Sequence, residues 1–267
     1  MHPTPARWAL DASLTAAAGV PYLVLTYAVA PQQQPTPLGS PDDVRGIDRV
    51  ALGRYDPAAA TAADALAYSS VAAPFVVHAI EAGLDTRRYG GGRRHFGGRW
   101  GTDALLLAET LAFTGLATEL IKSAVDRTRP FAHLLPTAVD ARDRGALVED
   151  LAEADRSRSF PSAHTSLSFA AATASAMLLT LKPLDRRRRV AVGLAWGLGM
   201  SVATTTAILR VVAGKHYPTD VIAGAALGAG IGAAVPLAHL PRRPDRVRVS
   251  VWRARSGGGL MLTAALP

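Results

Sequence analysis

Six apolar segments rich in Ala, Gly and Leu limit what this 267-residue chain can become; they span roughly residues 10–30, 64–84, 101–121, 165–181, 190–209 and 219–240. Each approaches the ~20 residues that carry an α-helix across a bilayer. The last three hold no charged residue between Thr165 and Leu181, Val190 and Leu209, or Val221 and Ala238. The first three hold Asp11, then Asp64, His78 and Glu81, then Asp103, Glu109 and Glu119. Carboxylates within a span are costly in lipid, and the mean hydropathy is only +0.17. The expectation is an all-α bundle of about six helices that crosses a membrane. The competing expectation is a soluble bundle whose first three helices are amphipathic.

The charge between the segments favours the membrane. With the N-terminus inside and the segments alternating, the inner connections hold Arg87, Arg88, Arg93, Arg94 and Arg99, then Lys182 and Arg186 to Arg189, then the tail residues Arg242, Arg243, Arg246 and Arg248. The outer connections mix signs: Arg45, Arg49 and Arg54 sit among Asp42, Asp43, Asp48 and Asp56. That asymmetry is the positive-inside pattern. The net charge of +8 comes with only 6% aromatic residues, too few stacking partners for a nucleic-acid surface, so no nucleic-acid partner is expected. Cysteine is absent, which excludes a disulfide scaffold, a thiolate zinc site and a thiol nucleophile.

Along the chain, the expected division is an N-terminal helix and polar loop over 1–62, a helical core over 63–240 and a basic tail over 241–267. Segment one reads as a membrane anchor; Ala28-Val29-Ala30 gives it a second reading as a cleaved signal segment. Residues 31–45 read as an exposed loop, Gly90 to Gly92 as a flexible turn, and Arg246 to Ala265 as a hairpin around Gly257, Gly258 and Gly259.

Three polar clusters lie at segment ends. Lys122 and Arg129 are seven residues apart, about two helical turns and roughly one face, with Pro130 ending the helix. A Lys point charge and an Arg fork together suit a phosphate. In the second cluster Ser162 is a candidate N-cap, the helix start behind it is an anion site, and His164 stands ready to give or take a proton. In the third, Arg210 ends one segment and Pro218 opens the next. Asp220 is then close enough to accept from a ring nitrogen of His216, leaving the other nitrogen as a nucleophile. Singly, each cluster has an ordinary alternative: a snorkelling helix end, a capped helix with a surface histidine, a loop histidine near a helix-start aspartate. Together they supply the cations, nucleophile and acid that phosphoryl transfer through a phosphohistidine requires. In the alternating topology all three fall on the outer side.

These residues resemble the signature of the type 2 phosphatidic acid phosphatase (PAP2) superfamily, which includes bacterial acid phosphatases and vanadium haloperoxidases. That pattern runs Lys-x6-Arg-Pro, Pro-Ser-Gly-His and Ser-Arg-x5-His-x3-Asp. This chain has Lys122…Arg129-Pro130, Pro161-Ser162-Ala163-His164 and Arg210…His216…Asp220 in the same order and spacing, within about segments two to six. The resemblance implies an all-α fold of about six helices, with His216 as nucleophile oriented by Asp220 and His164 as proton donor to the leaving group. It implies that Lys122, Arg129 and Arg210 hold the phosphate, with Ser162, Ala163 and nearby backbone N–H groups. It further implies a phosphatase without metal or other cofactor; with the alternating topology, the expectation is one acting on a lipid phosphate or diphosphate at the outer, periplasmic face of a bacterial inner membrane. The alternatives are a soluble periplasmic acid phosphatase, a vanadate-dependent haloperoxidase with vanadate as its cofactor, and a non-catalytic phosphate-binding membrane protein. Ala163 stands where the family has Gly, a strain if a positive φ is required there. Leu209 stands where the family has Ser, removing one hydrogen bond. The small residues Gly224, Ala225, Gly228, Gly230 and Gly232 allow close helix packing, within one subunit or between two.

Overall fold

Every one of the six apolar segments forms a helix in the computed structural model, which describes residues 5–33, 37–183, 185–240, 247–254 and 257–264. In chain order the helices are α1 Pro5–Val24, α2 Pro57–Tyr89, α3 Gly92–Val125, the short α4 Arg144–Ala152, α5 Ala163–Thr180, α6 Arg186–Val212 and α7 Pro218–Ala238. The chain divides into two compact units, Met1–Pro236 and Leu237–Pro267.

In the first unit, two helices run well past their apolar stretches. Asp56 caps α2 by accepting from the Ala59 N–H at 3.0 Å. Arg93, Arg94 and Arg99, expected in a connecting loop, lie instead on the first turns of α3. The reversal between α2 and α3 is confined to Gly90 and Gly91, both at positive φ, backbone that a Cβ disfavours. α1 continues through a π-helical turn Leu25–Val29 and a 3-10 turn Ala30–Gln32, so Ala28-Val29-Ala30 lies inside a helical run. It packs on α3, with Gly19 beside Ala112 and Gly115 beneath the Tyr22 ring.

Among the described residues, five helical runs are long and apolar enough to cross a membrane: Ala6–Gln32, Pro57–Tyr89, Gly92–His133, Arg186–Val212 and Pro218–Ala238. α5, expected to be one of the cleanest spans, is the central helix. Thr165, Ser166, Ser168, every residue from Ala170 to Ala176, Leu178 and Leu179 are buried, with α2, α3 and α6 packed around it. Its lack of charge reflects burial among its neighbouring helices. α7 reaches it through a glycine stripe. A Cβ on Gly224, Gly228 or Gly232 would stand 2.8, 2.0 or 2.7 Å from the carbonyl oxygen of Ser162, Ser166 or Ala170, whereas Gly230 meets nothing. Three of the five small residues thus serve backbone approach inside one subunit.

Most carboxylates that counted against a membrane segregate to the two ends of the bundle, beside cations. At one end Asp64 pairs with Arg210 (2.8 Å) and Glu119 with Arg158 (2.5 Å). At the other, Glu81 pairs with Arg187 (2.7 Å), Asp85 with Arg188, Arg99 and Arg187 (2.7, 2.9 and 3.0 Å), and Asp103 with His78 (2.8 Å) and Lys182. Asp64 and Glu81 are separated on α2 by about 25 Å at 1.5 Å per residue, close to a hydrocarbon thickness. Asp11 and Glu109 are buried between these levels.

The second unit contains an antiparallel hairpin, β1 Val247–Ala254 and β2 Gly257–Ala264, with Val247 opposite Ala264 and Ala254 opposite Gly257. Gly257, Gly258 and Gly259 are therefore paired strand residues, not the turn. The basic residues Arg242, Arg243 and Arg246 lie outside the described residues.

Candidate active site

The expected site residues converge at one end of the helical unit, opposite the Arg-rich end. α3 carries Lys122 in its last turn and stops at Val125, where Asp126 takes the left-handed conformation (φ 47°). Arg129 follows on extended backbone, and Pro130 opens a 3-10 turn Pro130–His133. The helix ends four residues earlier than Pro130 implied, so Lys122 and Arg129 do not share a helix face. They meet because the chain doubles back: Arg129 N–H donates to Arg156 O at 2.8 Å, and Ser159 N–H to Arg127 O at 2.9 Å. The buried Arg129 guanidinium donates to Asp155 O (2.7 Å), Asp155 Oδ2 (2.5 Å) and Lys215 O (2.7 Å). Its Nη1 also stands 3.1 Å from His216 Nε2.

His216 sits in the α6–α7 loop, which is held tight by Gly214. That residue has φ +70°, and a Cβ there would stand 1.9 Å from the Arg54 carbonyl oxygen. His216 Nδ1 donates to the carbonyl oxygen of Ser159 at 2.8 Å. Asp220 Oδ2 is 3.7 Å from the same nitrogen, beyond hydrogen-bond reach. The direct His216–Asp220 bond expected from the sequence is therefore replaced by an indirect one. Asp220 opens the first turn of α7 and accepts from Tyr217 N–H (2.8 Å), Ser159 Oγ (2.5 Å) and Arg127 Nη1 (2.5 Å). It fixes Ser159, whose carbonyl fixes the ring. A carbonyl only accepts and a guanidinium only donates, so Nδ1 carries the hydrogen and Nε2 the lone pair. Burial, then the charges of Arg129, Arg210 and Lys122, hold His216 well below the usual histidine pKa. It is a neutral base with its lone pair aimed at the cations.

Ser162 caps α5 as expected, its Oγ accepting from Thr165 N–H (3.5 Å) and Thr165 Oγ1 (3.0 Å). Ala163 begins α5 and is not at positive φ, so the missing glycine costs no backbone strain. His164 Nε2 lies 2.9 Å from Asp64 Oδ1. Arg210, in the last turn of α6, donates to the same oxygen at 2.8 Å, while its buried Nε has no partner. Lys122 is buried, with Glu119 3.9 Å away. Leu209 is half-buried beside Arg210.

Several residues here carried no functional signal in the sequence. Asp64 stood out only as a costly charge in an apolar segment. Asp155 lies in a loop of mixed charge. Asp48 falls in the polar connection after segment one, yet it is buried beneath α7, accepting from Thr219 N–H (2.9 Å), Thr219 Oγ1 (2.7 Å) and Arg127 (2.7 Å). Arg127 stacks 4.1 Å from the Tyr217 ring centroid. Lys215 pairs with Asp150 of α4 at 2.5 Å and lies 4.7 Å from the Phe131 ring centroid.

A cavity of about 340 Å³ opens here, lined by Asp64, Tyr68, Asp155, His164, Arg210 and Lys215 among others. Its lining includes His164 and Arg210 but not Lys122, Arg129 or His216, which are themselves buried. The arrangement suits a tetrahedral oxyanion held against a neutral imidazole, with a second imidazole bonded to a carboxylate at hand.

The PAP2 superfamily model matches residues 103–244, more than half of the chain and all three motifs. A curated relative from Arabidopsis thaliana, "Probable lipid phosphate phosphatase 4", is 36% identical over 124 residues, 43% of this chain and 40% of that protein. The chain thus matches less than half of that relative's length. A solved structure, the first transmembrane PAP2 type phosphatidylglycerolphosphate phosphatase from Bacillus subtilis, aligns over 87% of this chain and 85% of that one, at 17% identity and a TM-score of 0.42.

Proposed function

Because the chain belongs to the PAP2 superfamily, we propose that it is an integral membrane phosphatase hydrolysing the phosphate or diphosphate monoester of a lipid, without a metal, through a phosphohistidine. The observation that carries this reading is His216 Nε2, a lone pair held neutral 3.1 Å from Arg129. Nε2 attacks phosphorus opposite the ester oxygen. The N–P bond forms as the P–O bond breaks, and His164 gives its proton to the leaving oxygen, that of the alcohol from a monophosphate or of the lipid monophosphate from a diphosphate. Burial, and then the charge of Arg210, work against the charged form of His164, and the hydrogen bond to Asp64 offsets part of that, so the proton is held only against this opposition. Water then attacks the phosphohistidine, returns a proton to His164 and frees Nε2. Lys122, Arg129 and Arg210 neutralise the equatorial oxygens, the work a metal does in other phosphatases.

Orientation follows the charge. Two of the basic groups that favour the inner face gather at the end away from the site, which supports a catalytic end facing out of the cytoplasm. The test is phosphate release by detergent-purified protein in EDTA, wild type beside His216→Ala, on an aryl phosphate, phosphatidic acid and a polyprenyl diphosphate. Metal-independent release that disappears in the variant, with acid-labile radiolabelled phosphate trapped on the wild type, supports the reading. Release that survives His216→Ala overturns it.

A further inference from the structure

An apolar groove of about 450 Å³ runs down the outside of the helical unit between α2 and α6, within the ~300–1,000 Å³ range of small-ligand sites. Its α2 wall includes Leu66, Ala73 and Val77, its α6 wall Ala191, Leu198 and Val202, and its floor is Ala172 and Ser175 of α5. Small residues make the hollow: Ala73 lines the α2 wall and Ala195 the α6 wall, and Gly199 brings α6 onto Ala172. Two of the hydroxyls along it, those of Ser70 and Ser175, are bonded into the protein, while Ser69 is exposed. Ser70 Oγ donates to Ala67 O (2.7 Å) and lies 2.9 Å from Ser168 Oγ, and Ser175 Oγ lies 3.2 Å from His78 Nε2.

Position links the groove to the catalytic cavity. On α2 their ranges meet, the cavity reaching Tyr68 and the groove beginning at Leu66, although no residue lines both. On α5, His164, Ser168, Ala172 and Ser175 fall at i, i+4, i+8 and i+11, one face of a helix. The groove floor therefore lies directly below the histidine that faces the leaving group, over about 16 Å of rise. The leaving oxygen is the atom that carries the lipid. We propose that the α2–α6 groove holds the hydrocarbon chain of the leaving alcohol, an alkyl, acyl or prenyl tail of one substrate molecule, while its phosphate sits among Lys122, Arg129 and Arg210. This rests on the phosphatase reading above and adds the subsite that selects for chain length.

Filling the hollow from either wall tests it. Butyl and hexadecyl phosphate present the same leaving group and differ only in tail. In mixed micelles, Ala73→Trp and Ala195→Trp should each lower kcat/KM for hexadecyl phosphate about tenfold, the loss of part of a chain's packing contacts. Butyl phosphate should stay within about twofold, since its tail does not reach these positions. Unchanged hexadecyl turnover, or an equal fall on both substrates, overturns the groove assignment. A second readout does not depend on activity. A hexadecyl phosphonate with a photoreactive diazirine at the tail end should label peptides containing Val77 or Ala191 of the wild type, and inorganic phosphate should suppress the labelling. Labelling that phosphate leaves untouched means an ordinary bilayer lipid and sinks the proposal. Absence of butyl phosphate turnover in the wild type would instead strike the phosphatase reading, while the labelling arm would still report on the groove.

Discussion

Replacing Asp64 by Asn separates proton donation from phosphate binding. The substitution keeps shape and an accepting oxygen and removes only charge. Asp64 Oδ1 stands 2.9 Å from His164 Nε2 and 2.8 Å from Arg210 Nη1. A full charge pair at about 4 Å and an effective dielectric of about 20 is worth about 4 kcal/mol. The Asp64 side chain is 41% exposed, and solvent screens such a pair strongly, leaving about 1–2 kcal/mol on the imidazolium. That corresponds to about a ten- to thirtyfold fall in kcat, expected only where the leaving group needs a proton. Alkyl phosphates do; nitrophenyl phosphate, whose phenolate leaves unaided, should change by less than about threefold. KM should not rise on either substrate, because Arg210 loses a competing anion. The assay is kcat and KM for Asp64→Asn on both esters, beside His164→Ala as the full loss of the acid. An equal fall on both would refute the reasoning and leave Asp64 as a strut for Arg210.

Further expectations concern pH, packing and topology. His216 sits well below its usual 6.5, so the acid limb of kcat/KM should fall below about pH 6.5, and Lys122→Met should move it upward by removing a cation. The same depression means that the unfolded chain takes up the proton first, so stability should decline as pH drops through 6.5 toward the folded value, read by thermal unfolding in detergent. Gly228→Ala should cost about 1–3 kcal/mol, since its Cβ would stand 2.0 Å from Ser166 O. Gly230→Ala, which meets nothing, should be neutral or slightly stabilising by the same measurement. The chain has no cysteine, so a single Cys placed at Asp140 should react with a membrane-impermeant maleimide from the periplasmic side and one at Arg93 should not. The reverse pattern would overturn the proposed orientation.

The six helices were legible because their apolar runs match a bilayer-crossing length, and the candidate site because three short motifs fix residue types at fixed spacing. What the sequence could not carry is which surface each helix turns toward what. α5 and α7 read alike as uncharged spans, yet α5 is enclosed by its neighbours while α7 is long and apolar enough to face lipid. Arg93, Arg94 and Arg99 read as loop because charge and Gly interrupt the apolar run, but α3 runs through them against the low helix propensity of its glycines, held at that end by the ion pair of Arg99 with Asp85.

Within the site, Lys122, Arg129, His164, Arg210 and His216 were set by the chain itself, since each lies in a motif whose local spacing is covalent. Their partners were not. Asp64 and Asp48 come from segments 100 and 171 residues distant from His164 and Thr219, and no local pattern encodes a contact of that separation. The Ser159 carbonyl took the place expected of Asp220 because a backbone acceptor has no sequence signature at all, and only the fold of the loop decides whether a carbonyl or a carboxylate reaches a ring nitrogen first.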